Sequence, residues 1–380
     1  MAIAFPFVEV QIDTSALQPV AQRAPGVLAI VGESNAGAAP ADAPLPVADL
    51  ADAKAKFGAA SNLTKALTAA LLQDPSPALI YGVKVANGDW AAALTALEAA
   101  DDVTFVALAT APLRSGAAGV NDPIKALKAH CENQSAAGNK RIGVAAIDPA
   151  APKTATYPAD WVALAGPFKS SVSRMVMVAA RGAVDDNGTA EVAAAAAAAI
   201  AGQPPATSLV LKKVRGFRMP LPGQYSPGEI KALSADGIIP VIDPSLIVGE
   251  SLHFAEGTTY TTDATLKYID LVRLLDDVEF RLKAALIGMI GDARISRSGL
   301  AAVIRRAEGV LDQVRGSGAI TGYAVAIPVY DALLKPEAAR SAGEDKLIVD
   351  TRADRLVDMT VVIVIGPAVH RLHVALQPRF

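Results

Sequence analysis

The chain has one cysteine, no long apolar segment and no excess of positive charge, and each absence excludes a class of protein. Because Cys131 is alone, no disulfide can form within the chain, which fits a reducing compartment or a protein stabilised by other means. The best apolar candidate, around Ala193–Ala199, is shorter than the roughly 20 residues of a membrane helix, so we expect no membrane insertion. The formal net charge is −3 with acids and bases interspersed, which disfavours direct binding to DNA or RNA.

Recognisable catalytic and cofactor motifs are absent as well. VGESNAG (Val31–Gly37) follows a predicted strand but lacks the ending of a phosphate loop and the spaced glycines of a dinucleotide site, so we interpret it as a turn. GSGAITG (Gly316–Gly322) lies between a predicted helix and a predicted strand, the wrong order for phosphate binding. No nucleophile elbow is present. The sequence therefore predicts neither an enzyme nor a cofactor, although a diffuse active site would escape a motif search.

The titratable residues that invite a site also have plainer interpretations. His370 and His373 would point to opposite faces of a strand, so they cannot share a metal ion, and no metal site is predicted. Asp276 and Asp277 are adjacent on a predicted helix and have basic neighbours, which favours a solvated helix face over an acid/base pair. The spacing of four residues predicts ion pairs on the solvent side of that helix, namely Arg273–Asp277, Asp277–Arg281 and Glu279–Lys283.

From Gly26 onward, short apolar runs alternate with alanine-rich helical segments. The predicted strands are Gly26–Ser34, Ala78–Val85, Asp102–Thr110, Arg141–Asp148 and Ser173–Ala180. The predicted helices between and after them are Leu63–Leu72, Asp89–Ala100, Asp122–Asn133 and Ala159–Ala165, followed by the polyalanine segment. Alternation of buried strands with helices predicts a doubly wound, parallel α/β domain over residues 26–250.

The last third has a different pattern. Apolar residues at steps of three and four predict two amphipathic helices, Leu266–Ile290 and Ser298–Gly316. Strands are predicted after them, at Tyr323–Ile327, Lys346–Asp350 (KLIVD), Thr360–Ile365 and Val369–Leu376. Helices followed by strands predict a separate α+β domain over residues 251–380.

Strand-like alternation also occurs in the first and last segments of the sequence. Val8, Val10 and Ile12 alternate with polar residues and precede a linker-like stretch with two prolines, so residues 1–25 are predicted to be a strand arm and its linker. Leu372, Val374 and Leu376 alternate with Arg371, His373 and Ala375. Such strands are templates for pairing, and we expect them to add to sheets of neighbouring subunits, which would propagate into a helical lattice. Pairing inside their own domain is the alternative.

Several segments in a fixed order carry a family resemblance. They are Ala190–Phe217, Glu229–Ile242, Tyr268–Leu286, the second helix running into Arg315–Val325, and closing strands broken at Pro367. In order and spacing these segments resemble the contractile tail sheath proteins of myophages and related contractile injection particles, from about Leu79 onward. The chain departs from the family at His253–Thr261 and at His370, which puts local contacts in doubt rather than the architecture.

The resemblance implies a subunit that polymerises as stacked hexameric rings around an inner tube and contracts to drive that tube through a cell envelope. The implied partners are copies of the chain, the inner tail tube protein, and baseplate and tail terminator proteins. The implied location is a virion tail or an extracellular contractile particle, assembled in the cytoplasm of a bacterial host.

By the same resemblance the segment Leu333–Lys346 faces the tube, with Lys335 and Arg340 meeting acidic tube residues; a solvated loop is the alternative. Two rival hypotheses remain open, an α/β enzyme with an unrecognised active site and another self-assembling strand-paired protein such as a compartment shell.

Overall fold

The computed structural model describes residues 26–372 apart from 35, 187 and 250. The predicted arm residues Val8, Val10, Ile12, Val374 and Leu376 lie outside the described residues. The described chain forms two compact units, a larger one with residues up to Asp276 together with 368–372, and a smaller one with residues 277–367. This division comes later than the predicted boundary at residue 250, because the strand Leu252–Phe254 pairs within the larger unit.

The larger unit is built on a nine-stranded sheet with the order β2-β3-β1-β4-β5-β6-β10-β11-β9. Its strands are β1 (Val27–Glu33), β2 (Pro44–Pro46), β3 (Leu79–Val85), β4 (Phe105–Leu108), β5 (Ile142–Ala146), β6 (Met175–Ala179), β9 (Lys213–Val214), β10 (Ile238–Ile242) and β11 (Leu252–Phe254). A separate hairpin joins β7 (Val184–Asp185) to β8 (Gly188–Thr189). From β3 to β10 every pair is parallel, and the pairs at the two edges are antiparallel.

Helices cover this sheet and complete the alternation that the sequence predicts. They are α1 (Leu50–Phe57), α2 (Asn62–Leu71), α3 (Trp90–Ala96), α4 (Asp122–Ala136), α5 (Tyr157–Ala165), α6 (Val192–Gly202) and α7 (Pro227–Ala235). In the parallel part, the second strand along the chain lies on one side of the first and the later strands lie on the other. This is the order of a doubly wound sheet, and it confirms the predicted α/β class.

The polyalanine helix α6 is the most completely buried helix of the larger unit. All residues from Val192 to Ala201 are buried. Its small side chains let neighbouring backbone approach closely. A Cβ atom added at Gly26 would lie 2.3 Å from the carbonyl oxygen of Ala201, and one added at Gly202 would lie 2.0 Å from that of Pro75. Gly26 and Gly202 therefore allow backbone contacts at the end of α6 that any larger residue at these two positions would prevent.

Helix α8 (Ile269–Leu286) begins in the larger unit and ends in the smaller one, and its charged residues correct the sequence prediction. Arg273 and Asp277 are buried, so they do not lie on the solvent side. Arg273 donates to the carbonyl oxygens of Ile200 (3.0 Å) and Gln203 (2.7 Å), which belong to the end of α6, where carbonyl groups have no partner within the helix. Spacing identifies possible ion pairs but not the face on which they lie.

The adjacent aspartates of α8 are not a solvated pair either. Asp276 accepts two hydrogen bonds from Arg174, at 2.6 and 2.9 Å, and Asp277 accepts one from Arg281 at 2.8 Å. Each carboxylate therefore has its own arginine, and the two do not share a proton as an acid/base dyad would. The pair between Lys283 and Glu279, at 2.6 Å, does lie on an exposed face as predicted.

The smaller unit contains, after the end of α8, the elements α9 (Arg297–Gly316), β12 (Ile320–Ala326), α10 (Pro328–Leu334), α11 (Ala342–Asp354) and β13 (Thr360–Ile365). One buried cluster consists of Leu300, Ile327, Val329, Ala332, Leu333 and Ile348, and further residues of α9 and β12 are buried as well, namely Ala307, Val310, Leu311, Val314 and Ile320. The predicted strand over Lys346–Asp350 is wrong, because this segment belongs to α11. The Ser341 and Glu344 side chains form a capping box that begins this helix, and residues 369–372 of the predicted last strand are not in a strand.

A buried arginine and histidine make the larger unit sensitive to acid. Arg141 is fully buried and donates to the carbonyl oxygens of Leu97 and Ala100, at 2.8 Å each. Its other terminal nitrogen lies 2.8 Å from Nε2 of His130. Burial and then the adjacent guanidinium lower the pKa of His130 to about 4. His130 is therefore neutral in the folded protein at neutral pH and accepts a hydrogen bond from Arg141.

We expect the free energy of unfolding to fall as the pH decreases from about 6.5 to about 4. In this window the unfolded chain binds a proton on His130 that the folded chain does not, and the loss reaches about 3 kcal/mol. Urea titrations at pH 7.5, 6, 5 and 4 measure it. The variant His130→Gln keeps a neutral acceptor that does not titrate, so its stability should depend less on pH. Equal pH dependence in both proteins would contradict the assignment.

Candidate assembly interface

Strands β12 and β13 form a two-stranded antiparallel sheet in the smaller unit. Tyr323 lies opposite Ile363, and Val325 opposite Val361, so these four half-buried side chains share the inner face. This face lies against α9, where the Tyr323 hydroxyl donates to Asp312 at 2.7 Å. The alternation predicted for Tyr323–Ile327 is thereby confirmed, with β12 placed on the helix that precedes it.

The outer face of the same sheet is apolar and exposed. Val362 and Val364 are each 55% exposed, and they lie opposite Ala324 and Gly322. No charged residue interrupts β13 between Thr360 and Ile365. A contiguous apolar surface of this kind, carried by strands, is typical of a surface that another polypeptide covers.

The edges of the two sheets differ in how open they are to further pairing. Within the described ranges, neither β12 nor β13 pairs with a third strand, so each presents an unpaired edge. In the nine-stranded sheet the outermost strands are short, and β2 has proline at both ends. Short and proline-containing edges resist strand addition, whereas a six-residue apolar edge such as β13 invites it. A two-stranded sheet is also marginal by itself, so of the two sheets this one is the more open to an added strand.

Lys335 and Arg340, predicted to face the tube, lie in the connection between α10 and α11. The Arg340 side chain is only 11% exposed, and its Nε donates to the carbonyl oxygens of Ala332 and Lys335, at 3.2 Å each. Arg340 therefore binds carbonyl groups at the C-terminal end of α10. Lys335 is half-exposed and pairs with Glu344 at 2.5 Å, and this pairing is the first cause that lowers the pKa of Glu344 to about 2. Of the two predicted residues, Lys335 offers the more accessible charge.

The described residues after Pro367 lie on the larger unit. His370 Nε2 is 2.9 Å from the Ser208 hydroxyl, and the His370 ring meets Tyr268 edge-on at 4.9 Å between ring centres. Arg371 donates to Glu256 at 3.0 Å. Leu372, a predicted arm residue, is 83% exposed. The partners are more than 100 residues away in the chain, at separations of 162 and 115, so no local pattern could have identified them.

An enzyme with a doubly wound sheet would have its site at the carboxyl ends of the strands. A crevice of about 240 Å³ lies there, after β4 and β5. Its polar groups bind each other: Glu191 accepts from the backbone N–H and the hydroxyl of Thr110, at 2.8 and 2.7 Å, and Arg114 pairs with Asp148 at 3.1 Å. Burial raises the pKa of Glu191. The crevice therefore places the Thr110 hydroxyl beside the Glu191 carboxylate, and Arg114 beside Asp148.

Comparison with solved structures decides the fold. The sheath of an extracellular contractile injection system, the PVC sheath complex in its contracted state, matches with a TM-score of 0.69 at 14% identity, covering 99% of this chain and 98% of that one. The contracted helical sheath of the anti-feeding prophage matches with a TM-score of 0.65 at 14% identity, covering 99% of each chain. The chain has the contractile sheath fold.

A sheath tail protein from Listeria innocua matches with a TM-score of 0.55 at 14% identity, covering 81% of this chain and 89% of that one. No protein-family model and no curated protein matches the sequence. The resemblance predicted from the segments after Leu79 is thus confirmed as a fold, and these structural neighbours are structural proteins rather than enzymes. None of the helices in the described part of the chain is both long enough and apolar enough to cross a bilayer.

Proposed function

We propose that the chain is the structural subunit of a contractile sheath. Copies of it polymerise as stacked hexameric rings around an inner tube, and contraction of the sheath drives that tube through a cell envelope. Besides copies of itself, the subunit contacts the tube protein, a baseplate and a tail terminator. It works in a phage tail or an extracellular contractile particle that is assembled in the cytoplasm of a bacterial host.

The observation that carries the proposal is the unpaired β12–β13 sheet. Its unpaired edges can accept strands, and the sequence places apolar alternation at Val8, Val10 and Ile12 and at Leu372, Val374 and Leu376. Strands donated by neighbouring copies satisfy the backbone groups of the edges and bury alternate side chains. Donation to different neighbours is heterologous, so the contacts propagate through a lattice instead of closing.

Contraction in this scheme requires no nucleotide. The energy is the difference between two packings of the same subunits, held apart by a bistable interface. The donated strands stay paired while the units move, so residues 15–25, with their two prolines, serve as the hinge of the N-terminal arm. Lys335 is the better candidate of the two predicted residues for contact with acidic tube residues, because Arg340 is engaged within the connection between α10 and α11.

Negative-stain electron microscopy of the purified protein tests the proposal directly. Hollow tubes support the sheath, whereas discrete particles would favour an enzyme and closed shells another self-assembling protein. The test requires only that the protein be concentrated under conditions in which it stays folded.

Removing either donated strand should leave a folded subunit that does not polymerise. We expect this of a deletion of Met1–Asp13 and of a deletion of residues 373–380, each of which removes backbone partners of the acceptor sheet. Circular dichroism measures folding, and microscopy measures tubes. The point variant Val374→Asp should behave like the second deletion because it buries a charge, with Val374→Thr as the matched control. Tubes formed by either deletion variant would refute the role of that arm.

A further inference from the structure

The residues that follow Pro367 are held by contacts of three different kinds, which we call the tail clip. The clip consists of His370 and Arg371 together with their partners Ser208, Glu256 and Tyr268. The contacts are a hydrogen bond at 2.9 Å to the Ser208 hydroxyl, an edge-to-face contact with the Tyr268 ring, and an ion pair at 3.0 Å with Glu256. Two consecutive residues therefore make three contacts that differ in chemistry.

The surface that His370 and Arg371 contact is itself held by hydrogen bonds. Tyr268 pairs with Thr258 through an isolated β-bridge, and the backbone N–H of Ile269 donates to the carbonyl of Gly257. The Glu256 side chain is only 15% exposed, so its carboxylate has a restricted position. Tyr268 therefore lies on hydrogen-bonded backbone, which lowers the entropy cost of holding the tail against it.

The clip holds polar residues and leaves the apolar ones uncovered. Val369 and Leu372, on either side of the clip, are 81% and 83% exposed. A tail that folded back to bury its apolar face on its own subunit would show the reverse. The clip therefore fixes where the tail leaves the larger unit, and the apolar residues remain for another partner.

We infer that the tail clip anchors the root of the C-terminal arm and so sets how far away the acceptor sheet of the neighbouring copy can lie. This inference rests on the proposed function. From Arg371 to Leu376 there are five residues, which span at most about 17 Å when extended. When the clip contacts are broken, the free segment starts at Pro367. The nine residues from Pro367 to Leu376 span at most about 31 Å when extended.

The shorter reach has a consequence for assembly. A tethered strand meets its acceptor at an effective concentration that falls with about the three-halves power of the tether length. Lengthening the tether from five to nine residues lowers this concentration about two- to three-fold for each arm. The intact clip therefore favours pairing with one neighbour at short distance over pairing with more distant copies.

The clip itself can be tested on the unpolymerised subunit. The variant Leu372→Cys accepts a spin label beside the clip, and the native Cys131 is buried and does not compete. We expect a restricted label when the clip is intact and a mobile one in His370→Ala/Arg371→Glu. The charge-swapped variant Arg371→Glu/Glu256→Arg should restrict the label again. Equal mobility in all three proteins would overturn the clip, whether or not the protein forms tubes.

The role in assembly needs a second measurement on the same variants without the label. Light scattering should show a lag before polymerisation that is at least two- to three-fold longer in His370→Ala/Arg371→Glu than in the parent, with recovery in the charge-swapped variant. If the spin label at position 372 is mobile in His370→Ala/Arg371→Glu but the lag of this variant equals that of the parent, the clip has no role in assembly. Failure of the parent itself to form tubes would instead refute the sheath proposal, so the two failures are distinguishable.

Discussion

Replacing Val362 and Val364 by aspartate should abolish tube formation while the subunit stays folded. Both side chains are more than half exposed on the outer face of the β12–β13 sheet, so in the isolated subunit the new carboxylates stay in water. The cost to the subunit is limited to the low strand propensity of aspartate, about 1 kcal/mol at each position. In the proposed polymer a neighbouring subunit covers this face, and burying each unpaired charge costs several kcal/mol.

The matched control is Val362→Thr/Val364→Thr. Threonine keeps the β-branched shape and the strand propensity of valine but adds no charge, so this variant should still form tubes. Thermal melting followed by circular dichroism should give similar midpoints for the parent and both variants. Tubes formed by the aspartate variant would show that this face stays in solvent and that the acceptor lies elsewhere.

The burial of the two strands explains why this surface matters. Ile320 is the one buried residue of β12, and no residue of β13 is buried. A two-stranded sheet that buries so little of itself gains stability from every strand that is added. In the proposed sheath, polymerisation and the stability of the smaller unit are therefore coupled, because a bound neighbour would stabilise the sheet that receives it.

The sequence predicted the elements of the larger unit well because buried parallel strands read as continuous apolar runs. The runs beginning at Gly26, Ala78 and Ser173 correspond to β1, β3 and β6 with bounds that differ by a residue or two. The smaller unit was harder to predict. KLIVD has the composition of a strand, yet the capping box of Ser341 and Glu344 begins a helix at Ala342, four residues before Lys346, and that local signal overrides propensity.

The buried charges and the tail clip could not be predicted from periodicity. The spacing of Arg273, Asp277 and Arg281 reads as a solvated face, but Arg273 satisfies carbonyl groups that belong to a helix more than 60 residues earlier. The contacts of His370 and Arg371 likewise join distant segments. Sequence patterns report which residues share a face of one element, whereas these contacts depend on which elements meet in the folded chain.

The largest effect on stability is expected for Glu229→Gln. Glu229 pairs with Arg181 at 2.6 Å, and the Arg181 side chain is 2% exposed between the rings of Tyr157 and Tyr225. The hydrogen bond from Arg181 is the first cause that lowers the pKa of Glu229 to about 2. Removing this charge leaves a buried guanidinium without its counterion, which typically costs about 3–5 kcal/mol.

The variant Glu229→Gln removes the charge of this residue but keeps its second role. Glu229 also accepts from the backbone N–H of Ser226 in the capping box that begins α7, and the amide oxygen of glutamine can still do so. The control Ser226→Ala removes the hydroxyl of this cap and leaves the ion pair, so it should cost only about 1 kcal/mol. Urea titrations at pH 7 measure both values. Equal losses in the two variants would show that the cap, and not the buried charge, determines the contribution of Glu229.

The pH dependence provides an independent check on the same pair. Because the folded pKa of Glu229 is about 2 and its ordinary value is 4.5, the stabilisation by the carboxylate is complete above pH 4.5 and is lost as the pH falls through 2. The loss contributed by His130 begins at higher pH, near 6.5. The parent protein should therefore lose stability in two stages on acidification. Glu229→Gln should keep the upper stage and reduce the lower one, to which Glu344 with its pKa of about 2 also contributes. His130→Gln should reduce the upper stage and keep the lower one.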